Sequence, residues 1–311
     1  MMRAMLFVLP LLAGAATPES KTTYTYKTAG GCAIQADVYR TSSASRGPAV
    51  LWIHGGALIM GHRGGIPGAQ LSRYLEAGFT VVSIDYRLAP ETKLPEILED
   101  VTDAYGWLRE KGPDLFGIDP SRIAVVGHSA GGYLTLVSGY RFHPRPRALV
   151  SFYGYGDIVG DWYSRPDPFY SRQPAVSKDA AFASVGTKAI SGAPGPNDRD
   201  RFYLYCRQQG LWPNLVAGLD PREQPKAFDA FCPLRNVTRD YPPAMLLHGD
   251  QDTDVPFTQS ELMAKELERN GVEHEFVRIP GGGHGFDRDM SDPRAADAFH
   301  RVMAFLETHL R

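Results

Sequence analysis

The amino-acid sequence predicts an α/β fold: a mostly parallel β-sheet with helices on both faces, an antiparallel hairpin at its N-terminal edge, and an inserted lid. Three observations point to it. Nearly continuous apolar runs recur along the chain, as expected of strands covered on both faces; "PAVLWIHGG", which stops at glycines, and "FTVVSIDYRLAP" are two of them. Segments with apolar residues at helical spacing separate these runs, and strands alternating with helices fold as crossover units of a parallel sheet. Before them, "TYTYKTAGGCAIQADVYRT" alternates β-formers on both sides of Gly30-Gly31, which reads as a hairpin.

In chain order, the hairpin is followed by a strand over 48–56, a helix over 70–77 and a strand over 79–90. The next helix, over 95–111, places Ile97, Leu98, Val101, Ala104, Tyr105 and Leu108 close to a helical period. A strand at 123–126, a helix at 131–138 and a strand at 148–154 come next. Residues 156–241 are dense in proline, glycine, arginine and aromatics and show weak periodicity. A compact domain does not usually hold so long a structureless loop, so this segment is read as a lid with short helices of its own. The chain then returns to a strand at 244–250, a helix at 258–270, a strand at 273–280 and a helix at 293–309.

Composition narrows the possible partners. With 43% hydrophobic residues in 311 and a net charge of −2, the chain can bury a sizeable core. It has no basic field to hold nucleic acid or an anionic membrane surface, so a small, roughly neutral partner is favoured. Residues 1–15 read as a signal peptide: Arg3 precedes an apolar run over 4–12 that ends at Ala13-Gly14-Ala15. That run is too short to span a bilayer, so stable membrane insertion is not expected. A secreted or periplasmic protein of residues 16–311 would result. The three cysteines are too few for a disulfide scaffold and lack metal-ligand spacing. In an exported protein Cys206 could pair with Cys232, leaving Cys32 as a buried thiol.

The chemistry centres on "IAVVGHSAGGYL". Gly127-x-Ser129-x-Gly131 is a weak pattern alone, but it follows a β-rich run and precedes a helical segment, the setting that a serine held up on a sharp strand-to-helix turn requires. A serine hydroxyl needs a base to take its proton. Of nine histidines, His284 in "PGGGHGF" falls after a strand and before the last helix, at the carboxyl edge of the sheet where open α/β folds bind ligands. His128 should point away from the hydroxyl of its neighbour, and His54 and His248 open tight turns and read as loop braces. The base needs an acid to fix its tautomer. The loop "DQDTDVP" offers Asp250, Asp252 and Asp254, all in the chain order Ser, Asp, His, and order alone does not choose among them. A developing oxyanion needs N–H donors, which His54-Gly55-Gly56-Ala57 and the Ala130 amide at a helix start can supply.

With "HGGA" at 54–57, "DYRLAPE" at 85–91, "GHSAGG" at 127–132, "HGDQDTDVP" at 248–256 and "HGF" at 284–286, the chain resembles the α/β-hydrolase superfamily. Within it, the resemblance is to esterases of the hormone-sensitive-lipase type. It implies Ser129, Asp252 and His284 as the catalytic residues, the Gly56, Ala57 and Ala130 amides as oxyanion donors, and no metal or organic cofactor. Two departures stand out. Ala57 occupies the place of a third glycine, and the cap helices usual before the first strands are missing. The signal-plus-hairpin start and the insertion after "SFYG" are similar to secreted feruloyl and acetyl-xylan esterases. A small, short-acyl ester, including acetylated or feruloylated glycans, is the implied substrate. Alternatives are a lipase on longer chains, a serine peptidase or amidase, and a non-catalytic binding protein on the same fold.

Overall fold

The computed structural model describes residues 20–41, 46–192 and 199–311; the signal-peptide reading lies outside them. The hairpin forms as expected, with β1 (Ser20–Ala29) and β2 (Cys32–Arg40) joined through Gly30 and Gly31. Both glycines have positive φ, 60° and 73°, the pairing a two-residue turn needs to follow the strand twist. After β3 (Gly47–Ile53) come α1 (Gly68–Glu76), β4 (Thr80–Ile84), α2 (Leu94–Phe116), β5 (Ile118–His128), α3 (Ala130–Arg141) and β6 (Ala148–Phe152). The chain closes with β7 (Ala244–Gly249), α8 (Thr258–Arg269), β8 (His274–Ile279) and α9 (Pro293–Leu310); α4 to α7, the short helices of the described residues between β6 and β7, are given below.

The eight strands form one sheet in the order β1-β2-β4-β3-β5-β6-β7-β8. The β1–β2 and β2–β4 pairs are antiparallel and the rest are parallel. Each face buries its own core. Leu71 and Tyr74 of α1 and Phe299, Val302 and Leu306 of α9 cover one side; Leu98 and Val101 of α2, Leu134 and Val137 of α3 and Met263 of α8 cover the other. Several boundaries differ from the sequence reading; the strand read over 123–126, for one, spans Ile118–His128. Helix α2 runs five residues beyond 111, past Pro113, because Phe116 is drawn into the core and Gly117 closes the helix at φ 66°. The strand read over 79–90 stops at Ile84, and Asp85 turns instead to bind the Arg63 amide at 2.6 Å and the Arg63 guanidinium.

The segment between β6 and β7 has short helices α4 (Asp161–Ser164), α5 (Lys178–Phe182), α6 (Arg199–Gln209) and α7 (Trp212–Ala217). Four of its aromatics, Tyr163, Phe202, Trp212 and Phe228, are fully or almost fully buried and join the core on the α2 and α3 side of the sheet. The Trp212 indole donates to the Ala57 carbonyl at 3.0 Å, and Arg199 donates to the Ile59 and Ala89 carbonyls at 3.2 and 2.8 Å. The lid segment therefore grips the loop after β3. The expected Cys206–Cys232 bridge is not formed, and all three cysteines are free. Cys206 is buried within α6, where burial pushes its thiol well up. Cys232 sits apart from it with Sγ 3.8 Å from Asp157 Oδ1, its thiol raised by burial to about 11. Cys32 is half-buried, not buried, with Sγ 3.3 Å from Ser191 Oγ.

Candidate active site

Strand β5 ends at His128 and α3 begins at Ala130, so Ser129 alone makes the turn, at φ 56° and ψ −119°. A side chain is rarely found in such a conformation, which costs on the order of 1–3 kcal/mol and persists only where its surroundings enforce it. Here the Ser129 amide donates to the Phe152 carbonyl at 2.9 Å, and the Tyr133 amide returns to the Ser129 carbonyl at 2.9 Å. The neighbouring glycine is required by space: a Cβ on Gly131 would stand 2.0 Å from the Ile53 carbonyl oxygen. No rotamer change relieves a clash with backbone, so Gly131→Ala is expected to destabilise the fold by about 3 kcal/mol or more. Thermal unfolding of the variant checks this; an unchanged Tm would mean that β3 and α3 are less tightly apposed.

The three residues expected to act together meet. His284 Nε2 lies 3.1 Å from Ser129 Oγ, and His284 Nδ1 lies 2.8 Å from Asp252 Oδ2. Facing a carboxylate, Nδ1 is the protonated nitrogen, which leaves the Nε2 lone pair toward the serine. Asp252 is itself fixed, because its Oδ1 accepts the Asp254 and Val255 amides at 2.8 and 2.9 Å. Burial disfavours its charge, yet the His248 and His284 hydrogen bonds, the imidazole charge and the Val255 amide hold its pKa far below the ordinary carboxylate range. The other two aspartates of the loop turn away from Nδ1. Asp250 binds Arg278 and the Gly281 amide, while Asp254 reaches the other ring nitrogen, with Oδ2 3.3 Å from His284 Nε2.

The remaining histidines behave as braces. His54 stacks on Tyr86 with centroids 4.2 Å apart and donates from Nδ1 to the Gly55 carbonyl at 2.7 Å; burial lowers its pKa to about 4, so the ring stays neutral. His248 lies 2.7 Å from Ser260 Oγ and 3.1 Å from the Val255 carbonyl, beneath the loop of Asp252. His128 does point away from Ser129, with Nε2 2.9 Å from Asp287 Oδ2.

Asp287, which sequence reasoning passed over, ties three parts of the site together. Besides His128 it accepts from Tyr153 O–H at 2.6 Å and Gln70 Nε2 at 2.6 Å. It thereby joins the turn of Ser129, the end of β6 and the loop of His284. Burial opposes its charge, but His128, Tyr153 and Gln70 together hold its pKa far below the usual range. Its partners lie up to 217 residues away, so no local pattern marks it.

The loop after β3 approaches from the opposite side. Gly56 has φ 104°, Ala57 φ 54° and Leu58 φ 63°, and a Cβ on Gly56 would meet the Met60 carbonyl at 2.2 Å. Ala57 thus occupies a left-handed conformation that glycine would adopt at less cost. Among the described residues, the Gly56, Ala57 and Ala130 amides meet no protein acceptor. A cleft of about 540 Å³ opens over Ser129 and His284, lined by Gly55, Gly56, Ala57, Met60 and Tyr153. Its polar walls include His62, Asp200, Tyr203, Asp254 and Arg288.

Fold and cleft together define an α/β-hydrolase. The chain belongs to the BD-FAE family, whose model matches residues 36–267; the dienelactone hydrolase family model matches residues 232–310. Its sequence is 29% identical over 306 residues to non-reducing polyketide synthase Preu6 of Preussia isomera, covering 86% of this chain and 14% of that protein. It is 29% identical over 266 residues to Esterase LipC of Mycobacterium tuberculosis, covering 83% of this chain and 56% of LipC. The chain thus spans a small part of the synthase and little more than half of LipC. A hyperthermophilic esterase from the archaeon Pyrobaculum calidifontis superposes with a TM-score of 0.69 at 26% identity, covering 94% of this chain and 86% of that one. Among the described residues no helix is long and apolar enough to cross a membrane.

Proposed function

We propose that this chain is a serine carboxylesterase of small, short-acyl esters, working through Ser129, His284 and Asp252. The observation that supports it is the hydrogen-bonded series from Asp252 Oδ2 through both His284 nitrogens to Ser129 Oγ, at 2.8 and 3.1 Å. Ser129 Oγ attacks the ester carbonyl while Nε2 takes its proton. The carbonyl oxygen, now an oxyanion, is held by the Gly56, Ala57 and Ala130 amides. His284 passes the proton to the departing alcohol, leaving an acyl group on Ser129, and then draws a proton from water as the acyl-enzyme is hydrolysed. Asp252 keeps the ring in the productive tautomer and offsets its positive charge.

The walls of the cleft favour short acyl groups. Asp200, Asp254, Arg288 and His62 line a space of about 540 Å³, and a long alkyl chain there would desolvate charged groups without pairing them. On p-nitrophenyl esters from acetate to laurate, kcat/KM is expected to peak at two to four carbons and to fall by at least about tenfold toward laurate. A profile that rises toward laurate, steeper above the solubility limit, would favour the lipase reading. Acetylated or feruloylated glycans are the proposed natural substrate class, and removal of residues 1–15 with release to the periplasm or medium is the proposed fate of the chain.

A further inference from the structure

Asp254 shares a loop with Asp252 and is held by different partners. Its Oδ1 is saturated: Tyr203 donates at 2.5 Å, Tyr170 at 2.7 Å and Arg207 at 2.8 Å. Arg207 has no exposed side-chain surface, pairs on its other arm with Asp167 at 2.6 Å, and lies over the rings of Trp162, Tyr163, Tyr170 and Tyr203. So enclosed a guanidinium fixes the carboxylates that neutralise it. One arginine between two aspartates leaves a net negative charge, and the free oxygen, Asp254 Oδ2, faces the cleft 3.3 Å from His284 Nε2.

That distance poses a problem for the active form of the site. With Nδ1–H committed to Asp252, Nε2 presents a lone pair, so two acceptors face one another. Among the described residues no donor reaches Oδ2. The Asp254 side chain is 20% exposed to the cleft, so a bound substrate that shields Oδ2 from solvent loses binding energy unless it supplies a donor in its place. The chemistry says which part of the substrate passes there. The departing alcohol oxygen must come within hydrogen-bond reach of Nε2 to take its proton, which brings it beside Oδ2.

We propose that Asp254 Oδ2 accepts a hydrogen bond from a hydroxyl on the carbon next to the ester-bearing carbon of the alcohol. The enzyme then selects esters of vicinal diols and polyols, such as partly acylated sugars, over esters of simple alkanols. This rests on the esterase reading above. A hydroxyl in that place gives Oδ2 a donor while leaving Nε2 free for Ser129. Esters without it still react, but against the facing acceptor.

Asp254 also bears on the titration of His284. Burial opposes the charged ring, but the Asp252 hydrogen bond and the charges of Asp254 and Asp252 outweigh it, with Arg288 acting the other way; the pKa lies above its ordinary value. The Tyr153 ring, its centroid 4.5 Å away, and Ser129 complete the surroundings. Because the base must be neutral, activity is lost as pH falls through this raised pKa. Removing the Asp254 charge should move that acid limb to lower pH.

The test compares 2-hydroxyethyl acetate with 2-methoxyethyl acetate, which differ in the donor. The ratio of kcat/KM is taken within each protein, so that changes in the triad cancel. The wild type should prefer the hydroxyl ester by about tenfold, the range of a hydrogen bond to a charged group. In Asp254→Asn the oxygen keeps its three donors and the amide N–H₂ takes the place of Oδ2. The ratio should fall to about one or below as the new donor meets the hydroxyl, and the acid limb should shift down. Tyr170→Phe, which leaves Oδ2 in place, should retain the preference. A wild-type ratio near one overturns the proposal without need of a variant, and so does a preference that survives Asp254→Asn. If neither acetate nor p-nitrophenyl acetate is hydrolysed, it is the esterase reading that fails, and the inference falls with it.

Discussion

Replacing Ser129 by alanine is expected to lower kcat on p-nitrophenyl acetate by about four to six orders of magnitude, because the covalent route is lost and only oxyanion donors and binding remain. The change is one atom at a residue held by backbone hydrogen bonds at both its amide and its carbonyl, so folding should be little affected. Alanine also carries no hydroxyl for His284 to deprotonate, which separates loss of the nucleophile from loss of the base. A variant that keeps activity within about tenfold of the wild type would place the nucleophile elsewhere, since triad losses are far larger than that.

Asp252→Asn should cost about 10⁴-fold in kcat with little loss of substrate binding. The loss comes from the tautomer of His284. Asp252 Oδ1 accepts two loop amides, so an asparagine keeps its oxygen there and turns its N–H₂ toward His284 Nδ1. A donor facing Nδ1 forces the ring proton onto Nε2, where it can no longer accept from Ser129. Steady-state kinetics should show kcat falling while KM stays near its original value. If kcat falls by less than about tenfold, the orientation of His284 is set by something other than Asp252.

Several parts of this arrangement were legible before the structure. Ser129 could be read because its turn carries a local signature, a β-rich run, glycines on either side and a helical segment; Gly127 answers crowding from Gly131 and Thr135 of the helix that follows, although Gly131 answers the distant Ile53 carbonyl of β3. Chain order and the sheet edge marked His284. The acid was less legible, since three aspartates within five residues satisfy the same order, and only the resemblance singled out Asp252. What separates them is three-dimensional: two amides for Asp252, Arg278 for Asp250, and Arg207 of the lid for Asp254.

The lid was the least legible region for a related reason. Helix α6 buries Arg199, Arg207 and Gln208 alongside Phe202 and Cys206, so its inward face is not apolar and its periodicity is blurred. Buried charges of this kind make sense only with their partners, Glu91 for Arg199 and Asp167 with Asp254 for Arg207. Those partners come from other stretches of the chain, and no window of sequence contains both. The possible Cys206–Cys232 bridge does not form for a related reason: sharing an irregular segment does not bring two thiols together, and each is buried among its own neighbours.

The most direct test of the account is to quench the wild-type enzyme with acid during turnover of p-nitrophenyl acetate and to map the protein by peptide mass. The account predicts one acetyl group, on Ser129, appearing with a burst of p-nitrophenol. Turnover with the acetyl group on another residue, or with none trapped under conditions that slow deacylation, would contradict it.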